Sequence, residues 1–70
     1  MKTVAVVLAP GFEEGEAIVA IDVLRRLNIH VQTIACAQTR EVVSYHSIPM
    51  IADSTMAECP DQTFDVVIMP

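Results

Sequence analysis

Seventy residues carrying nine acidic and four basic side chains give a formal charge of −5, and 53% of the chain is hydrophobic while only 4% is aromatic. A chain of this length forms at most one small domain, which buries only about 60% of its unfolded surface. The four Lys and Arg residues are scattered, which excludes a phosphate-tracking nucleic-acid surface, and no apolar run reaches the roughly 20 residues that a membrane span needs.

Cys36 and Cys59 can form one disulfide at most, and neither belongs to a CxxC pair or to a metal-ligand spacing. The Met1-Lys2-Thr3 start imitates a secretory signal, but Pro10, Gly11 and Glu13-Glu14 interrupt it and no small-residue cleavage site follows, so cytoplasmic residence is expected.

Thr3 to Ala9 is continuously apolar and β-branched, the pattern of a parallel strand covered on both faces. Pro10-Gly11 turns the chain into a helix from Glu13 or Glu14 to Leu27, with Ala17, Ala20, Ile21, Leu24 and Leu27 as the buried stripe. Asn28 tolerates the left-handed conformation that closes such a helix. Ile29 to Cys36 alternates as a second strand with one less-buried face. Glu41–Ser44 and Ile48–Ile51 read as a small hairpin or irregular arm, with Pro49 holding the second piece at an edge. Asp53-Ser54-Thr55 is placed to cap a short helix through Cys59 that Pro60 breaks, and Phe64 to Met69 is another apolar strand.

Strand, helix, strand implies a right-handed crossover in a parallel sheet. One helix and a short turn cannot cover both faces of three such strands. The chain therefore reads as a portion of a larger α/β domain, with a self-contained fold as the alternative.

The strand-to-helix turn is where open α/β sheets bind ligands, and here it carries three carboxylates. Glu16 falls beside Ala20 and Val23 on the margin of the buried stripe, whereas Glu13 and Glu14 can point into water. The plainer reading is that these acids complement the positive end of the helix dipole, as Arg25 and Arg26 complement the other. The loop has only Gly11 and Gly15, without the G-x-G-x-x-G of a dinucleotide site or a P-loop, and its acids oppose phosphate. No cofactor and no metal is expected. His30 reads as a partly exposed strand residue, His46 as a loop residue, Cys36 as a small buried strand-end residue and Cys59 as a more exposed one without a nucleophile elbow.

Val4 to Leu8, Ala9-Pro10-Gly11-Phe12-Glu13-Glu14-Gly15-Glu16-Ala17, Ile21-Asp22-Val23-Leu24-Arg25-Arg26 and Phe64 to Pro70 together resemble the N-terminal portion of the ThiJ/PfpI family. The resemblance spans residues 1–70 and implies the N-terminal part of a flavodoxin-like three-layer sandwich with a mostly parallel sheet. It implies a catalytic role for Glu16, which matches the glutamate that hydrogen-bonds a nucleophilic cysteine later in the domain, outside this chain. It also places Gly11 in the substrate pocket and likens Arg26 to a dimer-interface arginine near the site, while His46 stands where many relatives carry another arginine. The implied activity is that of a cofactor-independent hydrolase: a deglycase or glyoxalase acting on methylglyoxal-type α-oxoaldehydes and their protein or nucleotide adducts. A redox-responsive chaperone of oxidative stress is the alternative, and an intracellular peptidase a weaker one. The expected partners are the remainder of the same domain and a second copy of it, in a homodimer, and the 70-residue chain alone is expected to be inactive.

Overall fold

A computed structural model describes residues 2–59 and 61–70. Pro60, read above as a helix breaker, lies outside the described residues. Strand β1 (Thr3–Leu8) leads into helix α1 (Glu14–Arg26) and returns as β2 (His30–Ala35). A hairpin arm of β3 (Glu41–Val43) and β4 (Pro49–Ile51) follows, then β5 (Ser54–Thr55), a single 3-10 turn (Met56–Glu58) and β6 (Val66–Ile68). The four-stranded sheet is parallel throughout, in the order β5-β2-β1-β6, and the arm forms its own antiparallel pair. The fold is the mostly parallel α/β arrangement that the sequence implied.

Side chains on successive strand residues point to opposite faces. Val4, Val6 and Leu8 of β1, with Val31 and Ala35 of β2, join Phe12, Ala17, Val42 and Ala52 in the core on the side of α1. Ile21 and Leu24 of α1, Met50 of the arm and Ile68 of β6 pack against this cluster. On the other face Ala5, Val7, Ile34 and Val67 line an open hollow of about 230 Å³ with Met56 and Phe64.

Glu13 caps α1, its side chain accepting from the Gly15 N–H at 3.0 Å, and Asn28 closes it at φ 62. The expected stripe holds at Ala17, Ile21 and Leu24, but Leu27 is 65% exposed, because α1 ends at Arg26 and Leu27 is already the cap. Cys36 is exposed rather than buried, since it lies one residue beyond the end of β2. Asp53 caps nothing: it clamps β2, accepting the Thr33 N–H at 2.9 Å and donating its own N–H to Thr33 Oγ1 at 2.8 Å. Thr55 instead starts the turn, in a reciprocal capping box with Glu58.

Candidate functional site

The chain runs from β1 to β2 and β5 on one side of the sheet and returns to β6 on the other, so the strand order reverses at β1. Ligands of open α/β sheets bind at such a switch point, beyond the carboxyl ends of the strands. The loop Ala9–Glu13 and the first turn of α1 occupy that position.

Gly11 sits at φ 85, a left-handed conformation that favours glycine, although no atom crowds the place of a Cβ. Its N–H donates to Val43 O at 2.9 Å, and the Tyr45 N–H donates to Phe12 O at 2.9 Å. The loop after β1 is thereby laced to the arm, with Phe12 buried beneath.

The three carboxylates of the turn have three different environments. Glu13 is the helix cap. Glu14 is only 7% exposed, contrary to the expectation that it points into water. Its Oε1 accepts from the Ser44 hydroxyl at 3.0 Å and from the His46 backbone N–H at 3.1 Å, and His46 Nδ1 stands 3.0 Å from both of its oxygens. The His46 bond, more than any other influence, holds the Glu14 carboxyl down to about 2, and Glu14 in turn raises the His46 imidazole above its ordinary value.

Glu16 is exposed, beyond the margin position expected for it, and borders a shallow surface hollow with Glu13, Gly15, Val19 and Ala20. No donor among the described residues engages its carboxylate. Arg26 binds Asp22 at 2.9 Å one turn back. Ten residues of helix separate it from Glu16, about 15 Å at the helical rise, so one chain does not bring these two together.

One ligand atom each from Glu13, Glu14 and His46 lies within 4.8 Å of the others, the one such donor group among the described residues. Glu14 Oε1 is already saturated by Ser44 and His46, which leaves a cation little to displace cheaply. The Glu14–Ser44–His46 junction did not emerge from the motifs, yet one signal for Glu14 existed. The core-facing positions Ala17, Ile21 and Leu24, continued back by three residues, land on Glu14 rather than Glu16.

The DJ-1/PfpI family model matches residues 2–70. The chain is 38% identical over 69 residues to Protein dj-1beta of Drosophila melanogaster, covering 99% of this chain and 37% of the relative. It is 39% identical over 70 residues to Protein DJ-1 homolog A of Arabidopsis thaliana, covering 99% of this chain and 18% of that one. A crystal structure of a mutant DJ-1 superfamily protein from Salmonella typhimurium superposes with a TM-score of 0.92 at 66% identity, over 96% of this chain and 36% of that chain. Oxidized Toxoplasma gondii DJ-1 superposes with a TM-score of 0.95 at 28% identity, over 100% of this chain and 38% of that chain. The chain thus spans little more than a third of most of these proteins, and less of the Arabidopsis relative. With the family pattern matched from Lys2 to Pro70 and the same fold in solved relatives, this chain belongs to the DJ-1/PfpI family.

Proposed function

We propose that this chain supplies the glutamate of a cysteine-dependent, cofactor-independent deglycase or glyoxalase, whose nucleophile lies elsewhere in the complete domain. The observation that carries this reading is Glu16: an unengaged carboxylate in the first turn of α1, at the point where the strand order reverses. When further polypeptide covers it, this carboxyl is placed to meet the cysteine sulfur. It then donates a hydrogen bond that favours the thiolate over the thiol. The thiolate adds to the aldehyde carbon of methylglyoxal; where that carbon already carries a thiol or amine, as a hemithioacetal or aminocarbinol, the adduct's thiol or amine departs with a proton and the cysteine sulfur takes its place. Glu16 moves a proton from the former aldehyde carbon to the neighbouring carbonyl carbon through an enediol, giving a lactoyl thioester, and water cleaves its C–S bond to release lactate and the free cysteine. Gly11 would line the pocket through its backbone, its N–H already being held by Val43, and Arg26 would reach the site of a second copy.

The remainder of the domain is proposed to cover the open sheet face, and the pairing of two whole domains to use α1 and the arm. Ile18, Val19, Val23 and Ile51 are exposed there, which suits such a seat. The complete protein is proposed to be a cytoplasmic homodimer, and the 70-residue chain alone to be inactive. In the complete domain Glu16→Ala is expected to lower methylglyoxal turnover by about 10²–10⁴-fold, the usual worth of a general acid–base group. Unchanged rates would remove Glu16 from the chemistry.

A second reading, a redox-responsive chaperone of oxidative stress, is favoured by the relative from Toxoplasma gondii whose solved form is oxidized. Methylglyoxal turnover measured beside suppression of heat aggregation separates the two.

A further inference from the structure

The cysteine chemistry makes no use of Glu14, yet this carboxylate joins three segments of the fold. It opens α1, it accepts the hydroxyl of Ser44 at the end of β3, and it accepts the backbone N–H of His46 in the turn between the arm's strands. Ser44 relays the hold across that turn, because its Oγ also accepts the Ile48 N–H at 3.0 Å. Ser47 completes the turn at φ 65, donating its N–H to Ser44 O.

We propose that Glu14 is a positioning residue and, with His46, a pH-sensitive latch that pins the Ser44–Ile48 turn of the arm to the first turn of α1. The groups facing His46 are Glu14 and Glu13 from the helix start and the Tyr45 ring from its own turn, edge-on with ring centroids 4.9 Å apart. No Lys or Arg side chain among the described residues bonds to either partner. An imidazolium at 3.0 Å from both carboxylate oxygens is held by charge and hydrogen bond together. A neutral imidazole keeps at most one N–H for Glu14 and loses the charge.

The sign follows from the geometry. His46 is raised by its bond to Glu14 and then by the charges of Glu14 and Glu13, so the latch is tightest at low pH and loosens as pH rises through the His46 value. Toward acid it holds until Glu14 is protonated, near 2. Glu16 lies two residues further along the same turn, so the latch also fixes the start of the helix that carries it.

The test is structural and stands apart from the cysteine chemistry. In the full-length protein, the His46 ring is titrated by NMR while backbone order at Tyr45–Ile48 is read from heteronuclear NOEs. In the wild type, order at these amides is expected to fall as pH rises through the His46 midpoint. In Glu14→Gln that midpoint is expected to drop, and the turn to be loose at every pH. His46 is exposed, so His46→Gln leaves the core untouched should Glu14→Gln fail to fold. That variant is expected to show the loose turn without pH dependence. A His46 midpoint unmoved in Glu14→Gln, or wild-type order unchanged across the titration, would overturn the latch.

Discussion

The two faces of the parallel sheet are built from the same strands and meet different fates. Toward α1, Val6 and Leu8 are completely buried and Val4 nearly so, under a helix and an arm. Toward the other side, Val67 is 55% exposed and borders a hollow flanked by only a 3-10 turn and the loop before β6. β1 carries apolar residues on both sides, the signature of a strand sandwiched between two layers. One layer is present, and the second face, where Val67 is exposed although Ala5 and Ile34 are buried, is the seat proposed above for more polypeptide. The candidate chemistry lies at the top of the finished face, and a nucleophile from another part of the domain would have to be brought to it.

The sharpest contrast is between one substitution on each face. Leu8→Ala is expected to cost about 2–5 kcal/mol in chemical denaturation, because it opens a cavity that α1 and Phe12 cannot fill. Val67→Ala in this chain is expected to stay within about 0.5 kcal/mol, as for other exposed positions. In the complete domain the cost rises to about 1–2 kcal/mol if that face is covered. Equal costs for Val67→Ala in both settings would mean that the second face stays open.

Each side also has one strongly depressed carboxylate, which gives an intermediate effect. Glu14 lies under the arm on the finished side. Glu58 lies in the turn flanking the open side, held down to about 2 by the Arg40 guanidinium at 2.8 and 3.0 Å and by the Thr55 N–H. A depressed carboxylate stabilises the fold fully above its ordinary value and ceases to do so as pH falls through the folded one. Stability is therefore expected to decline from about pH 4.5 toward 2. Glu14→Gln and Glu58→Gln are each expected to flatten part of that decline in urea midpoints measured against pH. Smallest is Arg26→Ala, which breaks an exposed pair with Asp22 and is expected to cost no more than about 0.5 kcal/mol. A large loss of turnover with so small a loss of stability would support its proposed place at a partner's site.

The finished face was legible because its signals are local. The β-branched run of Thr3–Leu8, the Ala17-Ile21-Leu24 stripe, Asn28 at the helix end and the short arm each follow from spacing within a few residues. The helix register identified the stripe, yet the carboxylate ranking went astray. Glu14 continues the stripe and is buried, and that requires a hydroxyl and an imidazole 30 and 32 residues away that no local pattern announces. Cys36 and Leu27 failed for a related reason: each stands one residue past the end of its element, where the neighbours that would cover it stop. Of the Asp53-Ser54-Thr55 segment expected to cap the short turn, Thr55 does so, while Asp53 clamps Thr33, since β5 pairs with β2 immediately after it.

The central claim is that the second face of this sheet receives further polypeptide, and mass measured under native and then denaturing conditions tests it most directly. The expected result is a native species heavier than the 7.6 kDa of this chain, separating into this chain and its cover, or remaining one longer polypeptide, on denaturation. A lone species of about 7.6 kDa that is folded under native conditions and keeps that mass on denaturation would contradict the claim, and with it the proposal that Glu16 serves a cysteine.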